Sequence, residues 1–395
     1  MSQAAPAVSL PAAQAAAQRA AVVRLSLTDF RCYTRLRLDL DAEPVVLTGP
    51  NGAGKTNLLE ALSFLSPGRG LRRAKLTEID RRERGLDTVH PWAVSAVVET
   101  GRGRTNLGTG HEAAEGKSTE RRVVRIDGQT TRGQKDLAQY LSLVWLTPDM
   151  DRLFMESSSA RRRFVDRLVY GFHPDHAGEV AAYETVMRER NRLLAEGSAD
   201  AAWLDALEDG MARHGVAIAA ARAEVIRRID GAAAGRPGPF PVPRLVLTGE
   251  VDAWLTQMPA VAVEDRLRAA LRAARGHDAA QGGAACGVHR SDLAVTYIAK
   301  EQPARDCSTG EQKALLLSIL LAMARELREE RGEAPLILLD EVVAHLDGAR
   351  RAALFDEICD LGAQAWLTGT DDELFTGLRG RARFFRVLDA TVMPR

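Results

Sequence analysis

One eight-residue segment has the composition and spacing of a phosphate-binding loop. Gly49-Pro50-Asn51-Gly52-Ala53-Gly54-Lys55-Thr56 fits the pattern GxxxxGK[ST] and lies between an apolar strand and an amphipathic helix. Glycines let successive N–H groups face one concave site, and the helix start adds partial positive charge. Lys55 can reach the β and γ phosphates, and Thr56 can offer its hydroxyl to magnesium. The segment predicts a nucleotide site that includes Asn57; a chance Gly-rich turn is the alternative.

Two adjacent carboxylates, Asp340 and Glu341, follow the apolar run Leu336–Leu339. Such a run is typical of a strand that is buried on both faces of a parallel sheet. Neighbouring strand residues point in opposite directions, so Asp340 can hold the magnesium shell while Glu341 orients or deprotonates the attacking water. A surface acidic pair after a core strand is the alternative, and the phosphate loop upstream favours the catalytic interpretation.

A third segment, Ser308-Thr309-Gly310-Glu311-Gln312, precedes a long apolar helix. Ser308 and Glu311 have the spacing of a capping box, which would simply start the helix. A helix start with free N–H groups, a serine hydroxyl and a glycine also suits an anion. Since Gly49 to Thr56 already encloses the phosphates of one nucleotide, the second helix start suggests that a nucleotide lies between two subunits.

Composition restricts the remaining interpretations. The 395 residues include 53 Lys plus Arg and 53 Asp plus Glu, so the formal net charge is zero and any anionic partner must bind to local positive clusters. The four cysteines form no CxxC pair, which makes reduced thiols the default expectation. Apolar stretches are too short to cross a bilayer. We therefore expect a cytoplasmic globular protein without membrane attachment.

Hydrophobic periodicity divides the chain into an α/β part with a helical insertion. Residues 1–21 are predicted to be a disordered extension, residues 157–275 an inserted helical subdomain, and residues 22–156 and 276–395 a single α/β domain with a mixed sheet. The predicted strands are 22–29, 31–40, 44–48, 92–99, 122–126, 141–146, 292–299, 336–339 and 365–368. Helices are predicted over 54–65, 309–331 and 349–361.

The three ordered motifs, with Asp347 after the carboxylate pair, resemble the ATP-binding-cassette head that is shared with the SMC chromosome proteins. Within that group the chain resembles the RecF family from about Val22 to its C-terminus, including the segments 30–33, 124–128, 161–166 and 287–292. The resemblance implies an ABC-type P-loop ATPase head, SMC-like but without a long coiled coil.

The resemblance also assigns roles to individual residues. It implies that Gly49 to Thr56 is the Walker A motif, Asp340 the Walker B magnesium ligand and Glu341 the catalytic base, acting with Lys55. Ser308 to Gln312 would be the signature motif, with Ser308, Gly310 and Gln312 contacting the nucleotide of the other subunit. Ser308, Gly310 and Asp347 would form the dimer interface.

Two positions depart from the common cassette pattern. Asp149 stands where many cassette proteins have the Q-loop glutamine, and RecF-like proteins usually have an acid there. Thr370 stands in place of the switch histidine. By the resemblance, Asp149 would contact magnesium or a water molecule, and Thr370 would make the sensing of the γ-phosphate weaker.

Two arginine-rich segments are candidates for DNA contact. They are Arg161-Arg162-Arg163 and the run from Arg69 through Arg72 and Arg73 to Arg84. A charge run is usually a solvated face, but the resemblance favours DNA contact by Arg161, Arg162, Arg163, Arg72 and Arg73. Few aromatic residues lie among them, so contact with the duplex backbone is favoured over stacking on single strands.

The resemblance implies a weak ATPase of recombinational repair and replication-fork maintenance. With ATP and Mg²⁺ it would form a homodimer, bind double-stranded and gapped DNA, and help to load recombinase with partners of the RecO and RecR type. Three alternatives remain from the sequence: a nucleotide-gated binding protein with incidental hydrolysis, an ATPase subunit of a transporter or another ABC-type system, and a P-loop metabolite kinase.

Overall fold

A computed structural model describes residues 19–82, 89–112, 121–197, 200–235 and 238–395. The predicted disorder of residues 1–18 and the basic residue Arg84 lie outside the described residues. β-structure begins at Ala21, at the end of the extension that was predicted to be disordered. Within the described ranges, no helix is both long enough and apolar enough to span a membrane.

The strands and helices follow one another along the chain as follows. The strands are β1 (Ala21–Phe30), β2 (Tyr33–Asp39), β3 (Val45–Thr48), β4 (Arg81–Arg82), β5 (Val89–His90), β6 (Ala93–Thr100), β7 (Gly103–Glu112), β8 (Arg121–Ile126), β9 (Gln129–Thr130), β10 (Leu143–Leu146), β11 (Pro243–Thr248), β12 (Asp292–Tyr297), β13 (Gln302–Pro303), β14 (Leu336–Leu339), β15 (Ala365–Gly369), β16 (Arg383–Leu388) and β17 (Thr391–Pro394). The helices are α1 (Lys55–Ser63), α2 (Leu76–Ile79), α3 (Ser158–Phe172), α4 (His176–Glu196), α5 (Ala201–Ala234), α6 (Glu250–Leu255), α7 (Ala260–Ala273), α8 (Arg275–Gln281), α9 (Thr309–Arg331) and α10 (Gly348–Leu361).

Twelve strands form two six-stranded sheets, while β11, β12 and β13 form a three-stranded sheet and β4 pairs with β5. One has the order β2-β1-β6-β7-β8-β9 and is antiparallel. The other has the order β10-β14-β15-β3-β16-β17, and its first five strands are parallel. Because strands β3, β14 and β15 run in the same direction, their carboxyl ends meet at one edge, where ligands bind in open α/β sheets. The predicted α/β class is confirmed.

The parallel sheet is the centre of the main hydrophobic core. Its strands β3, β14 and β15 have no exposed residue, as the uninterrupted apolar run Leu336–Leu339 predicted. Helix α9 packs beside the sheet with fourteen buried residues. Burial of these strands and of α9 fixes the positions of the carboxyl ends of β3, β14 and β15.

The region predicted to be a helical insertion contains helices α3 to α7, but also strand β11. β11 pairs antiparallel with β12, so residues 243–248 were wrongly assigned to helix. The segment has three consecutive apolar residues, Leu245–Leu247, which are too few to indicate a strand against the helical composition around them. Helices α4 to α7 have their own apolar cluster around Tyr183, Met211 and Leu267, while α5 also packs on α9.

A buried arginine joins the antiparallel sheet to the segment that follows α1. The Arg122 side chain on β8 donates to the Thr109 hydroxyl at 2.8 Å, to the Gly68 carbonyl at 2.7 Å and to the Phe64 carbonyl. Its guanidinium also lies over the Phe64 ring. Burial lowers its pKa to about 9. Arg122 therefore braces the chain between the phosphate-loop helix and the arginine-rich run.

We expect Arg122→Met to destabilise the protein by about 2–4 kcal/mol, because the substitution leaves buried carbonyl groups without donors. Urea unfolding followed by circular dichroism measures the change in the free energy of unfolding. Arg125→Met, at an exposed position of the same strand, is the matched control and should change stability by about 0.5 kcal/mol or less. Equal midpoints for the two variants would contradict the bracing role.

Candidate nucleotide-binding and hydrolysis site

Glycine is required at two positions of the predicted phosphate loop, which joins β3 to α1. Gly49 has φ +150°, and a Cβ there would lie 2.1 Å from the Val387 carbonyl oxygen. Gly54 has φ +110° as the residue that caps α1, and a Cβ there would lie 2.7 Å from the Tyr33 hydroxyl. That hydroxyl donates to the Gly54 carbonyl at 3.1 Å. The backbone conformation of the loop therefore requires glycine at these two positions of the sequence pattern.

Lys55 folds back over this loop. Its ammonium group donates to the carbonyl oxygens of Gly49 at 2.7 Å and Pro50 at 2.9 Å. Burial lowers the pKa of Lys55, and the nearby carboxylates Glu341 and Asp340 act in the opposite direction. The lysine charge is thus held on the concave side of the loop, where phosphate oxygens can replace the two carbonyl groups.

The Thr56 hydroxyl and the two predicted carboxylates come together at the edge of the parallel sheet. Thr56 Oγ1 donates to Asp340 Oδ1 at 3.0 Å, although the two residues are 284 positions apart. Since the hydroxyl proton is engaged by the carboxylate, the Thr56 oxygen keeps lone pairs for a cation. Burial raises the pKa of Asp340, while hydrogen bonds from Thr368 and Thr56 lower it. A nearby cation would favour the ionised form of this carboxylate.

Glu341 adopts a backbone conformation that is uncommon for a residue with a side chain. Its φ is +54°, in the left-handed region. The Glu341 N–H donates to Thr368 Oγ1 at 2.8 Å. Non-glycine residues in this region often lie at functional sites. Glu341 therefore lies on a turn directly after Asp340, and the separate roles of the two carboxylates stay a prediction.

Sequence analysis missed a buried carboxylate on the phosphate-loop helix. Glu60 is fully buried on α1 and accepts two hydrogen bonds from Arg31, at 2.9 and 2.7 Å, and one from Arg72 at 3.2 Å. Arg72 also donates to Asn57 at 2.9 Å, and the Asn57 amide donates to Cys32 Sγ at 3.1 Å. These contacts fix the outer face of α1; the proposed nucleotide contact of Asn57 stays a prediction. No short motif marks Glu60, since its partners are distant in sequence.

The second predicted anion site begins α9. Ser308 is the N-cap: its N–H donates to Glu311 Oε2 at 3.0 Å, and its hydroxyl accepts from the Glu311 N–H at 3.4 Å, which confirms the capping box. The side chain of Lys300 pairs with Glu311, and this hydrogen bond, followed by those from Ser308, lowers the pKa of Glu311 to about 2. Ser308 is exposed, and a Cβ on Gly310 would meet open space. The helix start therefore faces outward.

Separate local roles are seen for Gln312, which was predicted to contact the nucleotide of the other subunit, and for Asp347, which was predicted to lie at the dimer interface. The Gln312 side chain is buried and donates to the Cys307 carbonyl at 2.9 Å, so it braces the turn before α9 instead of facing outward. Asp347 caps α10, accepts from the Arg350 N–H at 2.8 Å and is exposed. Arg350 also donates to the Pro239 carbonyl at 3.2 Å, which joins this corner to the inserted region.

Asp149 and Thr370 both occupy exposed positions directly after strands of the parallel sheet, β10 and β15. Next to Asp149, the Asp151 carboxylate accepts from Lys313 Nζ at 2.9 Å. Lys313 is buried on α9, one residue beyond the predicted signature motif. This pair, which sequence analysis missed, connects the start of α9 to the segment after β10.

The structure separates the predicted DNA-contacting arginines into two groups. Arg161 makes a double hydrogen bond to Asp292, at 2.7 Å each, and Arg162 donates to the Ser291 carbonyl at 2.7 Å. Arg72 is engaged by Glu60, as described above. These three guanidinium groups have hydrogen-bond partners within the chain, and their contact with DNA stays a prediction. Arg73 and Arg163 are exposed.

The residues of this edge suit ATP with magnesium. The candidate ligands of the cation, Thr56 and Asp340, both offer oxygen atoms, which Mg²⁺ prefers. The phosphate ligands would be the loop N–H groups and Lys55 at the positive end of α1. Magnesium bound between them would neutralise phosphate charge during γ-phosphoryl transfer. The fold and this site define a P-loop ATPase head of the ATP-binding-cassette type.

Comparison with known proteins identifies the family. The chain matches the family model described as RecF/RecN/SMC N terminal domain over residues 21–389. It is 48% identical over 375 residues to the DNA replication and repair protein RecF of Mesorhizobium japonicum, covering 94% of this chain and 97% of that protein. RecF of Caulobacter sp. strain K31 is 50% identical over 383 residues, covering 93% and 97%. The chain belongs to the RecF family.

Solved structures show the same fold. A recombination mediator protein RecF in complex with ATPrS, described as part of the RecFOR pathway, superposes with a TM-score of 0.81 at 21% identity over 95% of this chain and 99% of that one. The Smc head of Pyrococcus furiosus with an extended coiled coil gives a TM-score of 0.52 at 14% identity over 95% and 96%. The predicted ABC and SMC-like head is confirmed.

Proposed function

We propose that the protein is a slow, magnesium-dependent ATPase that binds duplex DNA at single-strand gaps as an ATP-closed homodimer. Hydrolysis would open the dimer and release the DNA. The observation that carries this proposal is the division of the site: the phosphate loop, Asp340 and Glu341 share one sheet edge, whereas Ser308 opens a separate helix that faces outward.

Ser308 and Gly310 are suited to the nucleotide of a second subunit. Across the described ranges, no hydrogen bond joins residues 307–312 to the loop 49–56, and in the proposed dimer the phosphates bound by one chain would be covered by the start of α9 of the other. A two-fold axis between two copies would place each α9 start against the other loop. The partial positive charge of α9 would then attract the γ-phosphate, and the Ser308 hydroxyl, which donates to Glu311 Oε2 at 2.9 Å in the single chain, would turn to donate to the phosphate. The exposed Asp347 would lie beside this interface.

The chain's own residues account for slow hydrolysis. Lys55 and the loop N–H groups would hold the β and γ phosphates, and Asp340 with Thr56 would hold the cation. Glu341 takes the proton of the attacking water. Because Ser308 has to come from the partner, turnover requires dimerisation, and hydrolysis removes the γ-phosphate that joins the subunits.

Two sequence-distant arginine groups meet at one surface, which supports DNA binding. Loss of solvent around the guanidinium of Arg73, together with the charges of Arg163 and Arg69, lowers the pKa of Arg73. Like charges affect one another in this way only when they are close. Arg73 and Arg163 are exposed and present positive charge without a protein carboxylate as hydrogen-bond partner among the described residues. Dimerisation would bring two such surfaces together and so double the number of phosphate contacts.

The double variant Arg73→Ala, Arg163→Ala should bind DNA more weakly. The slope of the logarithm of the binding constant against the logarithm of the salt concentration should be smaller in magnitude by about two per subunit. Fluorescence anisotropy of labelled duplex, in the presence of ATP and Mg²⁺ across a salt series, measures both effects. Arg213→Ala, at an exposed arginine that is paired with Asp209, is the control and should bind like the wild type. An unchanged salt dependence in the double variant would remove this surface as the DNA site.

The proposed function is tested by binding of the wild-type protein to duplex, single-stranded and gapped DNA with and without ATP. We expect the tightest binding to gapped duplex, only with ATP and Mg²⁺, and weaker binding as salt rises. Binding that ignores both ATP and salt would overturn the DNA-clamp proposal. Recombinase loading with partners of the RecO and RecR type, and a location in the cytoplasm beside the chromosome, belong to the same proposal.

A further inference from the structure

A buried threonine on β15 contacts the carboxylate of Asp340 and the backbone N–H of Glu341. Thr368 is 1% exposed, and its hydroxyl donates to Asp340 Oδ1 at 2.8 Å. The same oxygen accepts from the Glu341 N–H at 2.8 Å. A hydroxyl group has one proton and can also accept, so these two hydrogen bonds are compatible in direction.

The first hydrogen bond orients the Asp340 carboxylate. Asp340 Oδ1 accepts from Thr56 and from Thr368, which occupies its two lone-pair directions. The other oxygen, Oδ2, is therefore the one left to face a cation and its water shell. Without Thr368, rotation about the carboxylate bond is restrained by Thr56 alone, and Thr56 must itself reach the cation.

The second hydrogen bond holds the turn at Glu341. A left-handed backbone is strained for a residue with a side chain and persists only where surrounding contacts favour it. The Glu341 N–H points to Thr368 because β14 and β15 are paired in parallel with Leu339 opposite Leu367. This register places residue 368 beside the end of β14.

We infer that Thr368 is a positioning residue for ATP hydrolysis: one buried hydroxyl group sets the orientation of the magnesium-binding carboxylate and the backbone of the general base. The inference rests on the proposed ATPase function of the same site. Thr370, which follows in sequence at the position expected for a switch residue, is exposed and has a separate location.

Thr368→Val and Thr368→Ser separate this role from simple packing. Valine keeps the shape but removes the hydroxyl; serine keeps the hydroxyl but removes the methyl group. If the hydrogen bonds matter, Thr368→Ser should resemble the wild type. In Thr368→Val, the increase in ATP affinity that Mg²⁺ provides should be about ten- to hundredfold smaller than in the wild type. A packing role predicts the opposite order, with valine tolerated and serine impaired.

The experiment measures the affinity of wild-type and variant proteins for a fluorescent ATP analogue in EDTA and in Mg²⁺, with single-turnover hydrolysis and thermal unfolding of the same samples. We expect Thr368→Val to match the wild type in EDTA and to fall behind only in Mg²⁺, with hydrolysis slower by about ten- to hundredfold. If Thr368→Val does not fold, Thr368→Ala gives the same comparison with Thr368→Ser.

Two failures are distinguishable. If the wild type gains affinity from Mg²⁺ and Thr368→Val gains as much, the positioning role of Thr368 is overturned and the ATPase proposal stands. If the wild-type protein gains nothing from Mg²⁺, the proposed magnesium site is overturned, and the role of Thr368 with it.

Discussion

Replacement of Glu341 by glutamine should slow ATP turnover by about a hundredfold or more while leaving ATP-dependent dimers intact. A positioned general base typically contributes this much, and glutamine keeps the size but cannot accept the water proton. The Glu341 N–H is anchored by Thr368, so the substitution should not disturb the turn. Phosphate release at saturating ATP and Mg²⁺ measures the turnover rate. Light scattering measures the molar mass of the protein with ATP, which shows whether the dimer forms.

A matched control for this prediction is Glu99→Gln, at a carboxylate on β6 that pairs with Arg104. It should hydrolyse ATP at the wild-type rate. The ATP-bound dimer of Glu341→Gln should last longer than that of the wild type, because the γ-phosphate that holds the subunits together is removed slowly. Undiminished turnover in Glu341→Gln would exclude this residue as the base and would favour a binding protein whose hydrolysis is incidental.

Replacement of Lys55 by methionine should weaken ATP binding by about a hundredfold or more and abolish the ATP-dependent dimer. Lys55 is 4% exposed, and its ammonium group donates to two carbonyl groups of the loop. Loss of one partner from a buried charged contact typically reduces binding by about 2–5 kcal/mol. Isothermal titration with ATP and Mg²⁺ measures the affinity directly.

Lys135→Met is the control for this prediction, because Lys135 is exposed and pairs with Asp175. It should bind ATP like the wild type. Unfolding midpoints of both variants must be compared, since Lys55 also supports the loop. If folded Lys55→Met binds ATP with wild-type affinity, the loop 49–56 is not the triphosphate site.

The sequence predicted the parts of the site that depend on local spacing. The loop Gly49–Thr56 needs its glycines because of left-handed torsions and the close Val387 carbonyl, and such constraints leave a short, recognisable pattern. The α9 cap is also local, since Ser308 and Glu311 are three residues apart. Asp340 and Glu341 were visible because an apolar strand precedes them.

The missed parts depend on pairing between distant segments. Thr368 is one threonine in an apolar strand, and only the β14–β15 register brings it to Asp340, 28 residues away. Glu60 acquires its role from Arg31 and Arg72, which come from separate turns. Arg161 looked like part of a basic surface because its partner, Asp292, lies 131 residues further along the chain.

The central claim is that ATP closes two copies of this chain on each other, and sedimentation velocity of the wild-type protein tests it most directly. Samples over a hundredfold concentration range are compared without nucleotide and with ATP and Mg²⁺. We predict a monomer without nucleotide and a dimer with it, and a Ser308→Arg variant that binds ATP but stays monomeric. A wild-type protein that binds ATP yet remains a monomer at every concentration with ATP and Mg²⁺ would contradict the account.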